Sequence, residues 1–302
     1  MTCKNDEKRL GIDIGGHTLT IAEVIASPRP QIINKKTIST PSPRTPKTLI
    51  DALVSLVREY VADGEKCCVG IAVPGALDKT KRFCNLTNFG NVKCNLSELL
   101  TTELLKYNIT AKVKAENDAN AVAVGEKVAG EANNLEDFVC VTLGTGVGGG
   151  IFSNNKLLTG AHGLAGELGH IFLEDKARVC PCGGKGHLEA FVGAYVVEKE
   201  ATNLGVAYNF KELWEKRNTV EEAQKIISQF LDRIASAFAT YIAILDPEVI
   251  FLYGGISKSD GIIPEITKRL TPLLSTAEKQ NCKIIVSGLG EDAALYGVAL
   301  EQ

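Results

Sequence analysis

No stretch of eighteen uninterrupted apolar residues occurs in the 302-residue chain, so no segment has the length and hydrophobicity of a membrane-spanning helix. The polar opening MTCKNDEKRL lacks the apolar core of a secretory signal, and a cytoplasmic protein with no membrane partner is expected. No Lys/Arg run exceeds two residues, and 33 basic residues stand against 36 acidic ones. Without a basic patch there is no electrostatic footprint for nucleic acid. The first glycine turn is not followed by Gly-Lys-Ser/Thr, which excludes a Walker phosphate loop. Cysteine is not scarce at nine residues, but an odd number at irregular spacing favours a reducing compartment over a disulfide scaffold. Only Cys180 and Cys182 stand out as an interpretable pair. The rest, 45% hydrophobic and 23% charged, is ordinary globular composition in one large or two modest domains.

Glycine organises what is present. Its clusters fall at residues 11–16, 144–150, 160–169, 183–186 and 254–255. LGIDI, Gly15-Gly16 and LTIAEV read as a strand, a short turn and a second strand. FVCVTLGTGVGGGIF (138–152) repeats that unit, and EVIFLYGGIS adds a strand with another glycine turn. The proline-rich residues 25–47 read as a loop leading into an amphipathic helix, Thr48 to Tyr60. CCVGIAV is a strand stopped by Pro74-Gly75, and Asn95 to Tyr107 is helical. KVKAEND is a strand, ANAVAVGEKVAG a small-residue helix, and residues 189–245 are mostly helical with a long amphipathic run, Val220 to Leu245, closed by Asp246-Pro247. A last helix lies in EDAALYGVALEQ. Alternation with an internal echo predicts an α/β protein of two related halves divided near residue 118, with a nucleotide or substrate cleft between them. The apolar content of Val220 to Leu245 suggests burial at a subunit interface.

Three constellations carry chemistry. The two glycine turns place backbone N–H groups where no Cβ blocks a phosphate, with Asp13 near enough to hold Mg²⁺ through water and Thr145 adding a hydroxyl. Asn117 and Asp118 end a strand, where a carboxylate can take the proton of an attacking hydroxyl while the amide aligns its neighbour. Asp118 is equally a good helix N-cap. Finally, three of the four histidines lie between His162 and His187. His170, Cys180, Cys182 and His187 supply two imidazoles and two thiolates, a complete tetrahedral set for structural zinc. Glu167 and Glu189 flank it as candidate acceptors for sugar hydroxyls.

GIDIGG, GIAVPGALD, ENDANA, LGTGVGGG, AGELGH and CPCGGKGHLE occur in the order and spacing of the ROK family of sugar kinases and repressors, within the actin-like ATPase superfamily. The resemblance spans nearly the whole chain and is nearest the bacterial glucokinase branch. It implies a two-domain, ribonuclease H-like fold with an inter-domain active-site cleft: a small N-terminal domain (1–118), a large C-terminal domain with a zinc loop (119–290), and a final helix (about 291–302) packing on the first domain. It also implies an ATP-dependent kinase for the sugar 6-hydroxyl, a homodimer or tetramer. Asp118 would be the base; Asn117, Glu167, His170 and Glu189 would bind the other hydroxyls, and Gly75 would approach the sugar through its backbone. Asp13, Gly15 and Gly16, with Thr145 and Gly146, would hold the ATP phosphates and Mg²⁺, and Gly254 and Gly255 would lie beside the adenosine. His170 could offer one ring nitrogen to zinc and the other to sugar.

The sequence departs from the family in three places. His17, followed by Thr18, stands where the family has Thr, so either Thr18 supplies the phosphate-binding hydroxyl or His17 supplies a donor. His187 replaces the third zinc cysteine, and Phe89 replaces an aromatic beside which Asn85 or Asn88 would touch sugar. The leading expectation is a glucokinase. The alternatives are a kinase for N-acetylmannosamine, N-acetylglucosamine, mannose, fructose or allose, or a non-catalytic sugar-binding regulator. A DNA-binding repressor is disfavoured because only about a dozen residues precede Asp13, too few for a helix-turn-helix.

Overall fold

The computed structural model describes residues 3, 7–78, 80, 84–86, 89, 92–174, 178–276 and 282–300. The chain divides into two compact units, one comprising Met1–Asn134, Leu157–Ala165 and Glu291–Gln302, the other Leu135–Lys156 and Gly166–Gly290.

The first unit opens with the expected hairpin, β1 (Lys8–Ile14) and β2 (Thr18–Ile25), antiparallel from Leu10↔Glu23 to Ile14↔Leu19. A third strand, β3 (Gln31–Ser39), continues it. This corrects the reading of residues 25–47 as a loop. β3 pairs on one side only, and its NKKT centre is exposed, so it carries no apolar alternation to betray it. Thr45 caps α1 (Pro46–Arg58) in a reciprocal box with Thr48, and Pro46 occupies the first helical position, where its missing N–H costs nothing. β4 (Lys66–Val73) follows, almost wholly buried, then a hairpin of β5 (Cys84–Leu86) and β6 (Val92–Cys94). Next come α2 (Leu96–Leu105), β7 (Thr110–Asn117) and α3 (Asp118–Ala129). The sheet runs β3-β2-β1-β4-β7.

The second unit repeats that order. β8 (Phe138–Leu143) and β9 (Val147–Ser153) form its hairpin, and β10 (Lys156–Leu157) is the edge. Helices α4 (Glu189–Val192), α5 (Ala194–Asn203), α6 (Phe210–Lys216) and α7 (Glu221–Leu245) precede β11 (Val249–Tyr253). α8 (Ile262–Leu270) and β12 (Lys283–Val286) complete it. The sheet order, β10-β9-β8-β11-β12, matches the first, with an antiparallel opening pair and parallel third and fourth partners in both. The internal echo of the sequence is thus a repeat of topology. α7 stops where Asp246 turns left-handed at φ 44 before Pro247. Its apolar residues, from Ala223 to Ile242, lie in the second unit's own core. Of its large apolar side chains only Ile244 stands well out, at 74% exposure, so the helix's apolar content needs no subunit interface to explain it.

The last helix, α9 (Ala293–Leu300), returns to the first unit and packs on β1, β4 and α3. The approach is backbone to backbone. A Cβ on Gly70 would lie 1.8 Å from the Val298 carbonyl oxygen, and one on Gly297 would lie 1.9 Å from that of Ala121. α3 therefore belongs with the first unit, and the division falls after Asn134 instead of at residue 118. Cys3 and Cys68 are disulfide-bonded across 65 residues, a pairing that spacing alone did not reveal. Overpacking a filled core costs about 1–3 kcal/mol. Gly70→Ala should therefore lower the melting temperature by several degrees, at roughly 2–4 °C per kcal/mol. Gly144→Ala, whose Cβ would meet nothing within 4 Å, should leave it nearly unchanged in the same thermal scan.

Candidate active site

In the first unit the β1–β2 turn is braced from outside. Thr18 carbonyl accepts the Gly15 N–H at 2.8 Å, the Thr40 hydroxyl donates to Gly15 O at 3.1 Å, and Arg44 donates to Gly16 O at 2.6 Å. Gly15 thus spends its N–H closing the turn. The Gly16 and His17 N–H groups have no partner among the described residues, so they are the donors this turn leaves unengaged. Thr18 and His17 are both exposed. Asp13 lies half-buried two residues before the turn. Burial pushes its carboxyl up to about 6, Lys35 pulls the other way, and Glu291 adds to the rise.

β7 delivers the Asn117–Asp118 pair. Asn117, not Asp118, caps α3: its Oδ1 accepts the Asn120 N–H at 3.0 Å. Its Nδ2 donates to Gly75 O and to Asp118 Oδ1, both at 3.1 Å. Asp118 sits at the first helical position, half-buried, with Oδ1 also accepting the Ala119 N–H at 2.8 Å. Two donors on one carboxylate oxygen fix the plane of the other, which suits a base that must meet a hydroxyl at one angle. Gly75, at φ 105, supplies the carbonyl that orients Asn117. Beneath them the buried Glu116 accepts the Asn117 N–H at 2.9 Å. Asn88 lies outside the described residues.

The second unit holds the other glycine turn. Gly144 N–H closes it on Gly146 O at 3.0 Å, while the N–H groups of Thr145 and Gly146 have no partner among the described residues. Glu189, at the start of α4, accepts the Val147 N–H at 2.9 Å and the Cys180 thiol at 3.6 Å. It lies so close to the turn that a Cβ on Gly146 would be 2.3 Å from its Oε2. Gly144, Thr145 and Gly255 line a cavity of about 770 Å³, walled by Glu198, Asn209, Phe210, Lys211, Trp214, Lys258 and Asp260. Its walls are locked: Glu198 accepts the Phe210 N–H at 2.9 Å, and the Trp214 indole donates to Asp260 O at 3.0 Å. Gly254, at φ 89, sits against the Leu143 carbonyl, turning the chain so that Gly255 faces the cavity. Sequence reading found the glycines but not these walls, which come from separated turns of α5, α6 and the segment after β11. A second hollow, about 550 Å³ beside α2 and β7, holds none of the sequence-predicted residues.

His170, Cys180, Cys182 and His187 converge, their ligand atoms all within 4.8 Å of one another. Cys180 Sγ lies 3.7 Å from His170 Nδ1, and Cys182 Sγ 3.2 Å from His187 Nδ1. Tetrahedral zinc at bonds of about 2.0–2.3 Å needs ligands roughly 3.3–3.8 Å apart, so the donor set fits. His170 Nε2 looks the other way, 3.6 Å from Glu167 Oε2. Burial first, then the Cys182 and Glu189 neighbours, push the Cys180 thiol up to about 12.

Comparisons with known proteins give the chain's family. A family model described as the ROK family matches residues 9–300. A glucokinase from Thermotoga maritima is 31% identical over 97% of this chain and 96% of its own. An N-acetylmannosamine kinase from Escherichia coli O6:H1 is 30% identical over 96% and 97%. The crystal structure of a ROK family glucokinase from Streptomyces griseus, in complex with glucose and AMPPNP, superposes with a TM-score of 0.81 at 25% identity, covering 97% of this chain and 98% of that one.

The folded state binds a proton on Asp13 more tightly than the unfolded chain does. Stability therefore falls as pH rises from about 4 through 6, and the cost is fully present above 6. At about 1.4 kcal/mol per pH unit, that cost is about 1–3 kcal/mol. Asp13→Asn should accordingly melt higher than the parent at pH 7.5 and at the same temperature near pH 4, as read by thermal scans across pH.

Proposed function

The chain belongs to the ROK family, and from that premise we propose that it is a glucokinase, transferring the γ-phosphoryl group of ATP to the 6-hydroxyl of glucose. That it is a sugar kinase, a phosphotransferase with a hydroxyl acceptor, follows from the family and from the kinases it resembles over nearly its full length. The observation that carries the reading is the Gly75–Asn117–Asp118 chain of hydrogen bonds, which presents a carboxylate in a fixed plane.

Asp118 accepts the proton of the 6-hydroxyl as its oxygen attacks phosphorus, and Asn117 aligns the neighbouring hydroxyl. Phosphoryl transfer through a loose transition state demands positioning and charge neutralisation more than covalent help. The Gly16 and His17 N–H groups are proposed donors to phosphate oxygens, and the Thr145 and Gly146 N–H groups are a second such pair. Thr18 stands ready as a further hydroxyl. The 770 Å³ cavity floored by Gly255 accepts the adenosine. Mg²⁺, held through water by Asp13, supplies charge neutralisation when bound.

His170, Cys180, Cys182 and His187 would hold a structural zinc ion, which would fix the loop that carries Glu167 and His170, the proposed sugar-binding residues. Glu189 ties that loop to the Thr145–Gly146 turn, and in this reading its remaining acceptor capacity serves a sugar hydroxyl. The enzyme is placed in the cytoplasm as a dimer or tetramer, without nucleic-acid or membrane partners. Among the described residues no helix is long and apolar enough to cross a membrane.

A general base contributes about 10²–10⁴-fold, so Asp118→Asn should lower kcat by that range with sugar KM nearly unchanged. Near-normal turnover would remove the base from Asp118. In a coupled ADP-release assay, glucose should be preferred over mannose, fructose, allose, N-acetylglucosamine and N-acetylmannosamine. A preference for an N-acetylated sugar would keep the mechanism and overturn the substrate. Cys182→Ser should lower the zinc content, measured by elemental analysis, well below the one ion per chain expected of the parent. It should also raise sugar KM, because outer-shell support of a binding loop is worth about 10–100-fold.

A further inference from the structure

Each carbonyl of the β1–β2 turn, residues 15–17, is taken by a donor from one short segment. The Thr40 hydroxyl donates to Gly15 O at 3.1 Å, Arg44 to Gly16 O at 2.6 Å, and the Thr40 N–H to His17 O at 2.9 Å. In a trans peptide the C=O and the N–H that follows it point to opposite sides. The Gly16 and His17 N–H groups, which the turn leaves unengaged, are therefore the reverse faces of the two peptides that Thr40 and Arg44 grip. With glycine at 15 and 16, side chains offer these peptides little resistance to rotation. The grip supplies that resistance.

The gripping segment is itself anchored. Residues 40–46 read TPSPRTP, and each of the three prolines fixes its own φ. Thr45 caps α1, and both the Thr45 N–H and the Thr48 hydroxyl donate to Pro43 O, at 3.0 and 2.5 Å. The proline-rich stretch between β3 and α1 is thus a mount that runs from the cap of a helix to the turn. Arg44 is the one charged side chain in it, and its bond to Gly16 O is its only hydrogen bond among the described residues.

Of the three grips that of Arg44 is the shortest and the only charge-assisted one, the stronger class of hydrogen bond. Its cation sits at the carbonyl end of the Gly16–His17 peptide dipole, and an anion at the His17 N–H would sit at the other end. Each polarises the peptide in the sense that strengthens the other. We propose that Arg44 is a positioning residue for the phosphates of the nucleotide. It holds the Gly16–His17 peptide with the His17 N–H outward and makes that N–H a better donor, without itself touching phosphate. The proposal rests on the kinase reading, which assigns this turn to ATP.

ATP and adenosine, each with Mg²⁺, are titrated by calorimetry into the full-length parent, Arg44→Ala and Arg44→Lys. Arg44 is exposed and stands outside the first unit's core, so both variants should fold. Arg44→Ala should weaken ATP binding about 3- to 10-fold, the worth of one hydrogen bond, and leave adenosine binding unchanged. Methylguanidinium added to that variant should restore ATP affinity, and methylammonium at the same concentration should not. Arg44→Lys, which replaces a planar fork by a point charge, should fall between parent and Arg44→Ala. In turnover, ATP KM should rise in Arg44→Ala and glucose KM should not. Parental ATP affinity in Arg44→Ala would overturn the proposal. So would equal weakening of ATP and adenosine, or a loss that methylguanidinium leaves untouched, either of which would reduce Arg44 to a brace of the fold. These outcomes leave the kinase reading standing. A parent that binds no ATP would overturn that reading and this proposal with it.

Discussion

The seat of the C-terminal helix is the constraint on which the first unit depends. α9 lies against β1, β4 and α3 with its carbonyls where Cβ atoms would otherwise be. Gly11 and Gly70 meet Leu295 and Val298, and Gly125 meets Ala293. Hydrophobic burial here is small, a cluster of Ala72, Ala121, Ala294 and Val298. What the seat contributes is proximity: close-packed backbones have few alternative arrangements. β1 ends at the Asp13 turn, β4 runs into Gly75, and α3 begins at Asp118. One short helix therefore holds the three elements from which this unit's proposed chemical groups project.

The second unit solves a similar problem with a side chain. Glu189 joins the glycine turn to the metal loop through one carboxylate, accepting Val147 N–H on one oxygen and the Cys180 thiol on the other. The turn has room for that carboxylate only because residue 146 has no side chain. His170 extends the same logic, with one ring nitrogen at Cys180 and the other toward Glu167. A zinc ion bound to these ligands would have no open position for substrate. Its proposed influence on sugar is thus through the orientation of His170 and Glu167.

How much of this was legible in the sequence depended on range. The hairpins around Gly15 and Gly146, the N-terminal boundary of α3, the end of α7 at Asp246 and the Cys/His set are local signals, and all of them are seen in the structure. β3 was hidden because an edge strand exposed at its centre has no apolar period to show. The N-cap fell to Asn117 instead of Asp118 because which side chain turns back onto Asn120 is decided by the strand before it. The walls of the 770 Å³ cavity and the pairing of Arg44 with Gly16 depend on how separate segments align. Residue spacing carries no record of either. The apolar face of α7 was legible as a face, but not what covers it, since a core and a subunit interface have the same composition.

The most direct measurement is kcat for Gly125→Ala, assayed well below its own melting temperature. A Cβ there would lie 1.9 Å from the Ala293 carbonyl oxygen, so α3 or α9 must shift. A displacement of about 1 Å can cost on the order of 100-fold in rate. The seat account predicts that kcat falls at least about 10-fold in protein that remains fully folded by circular dichroism, because Asp118 moves with its helix. A lowered melting temperature with parental kcat would contradict it, reducing α9 to a stabiliser with no part in placing the base.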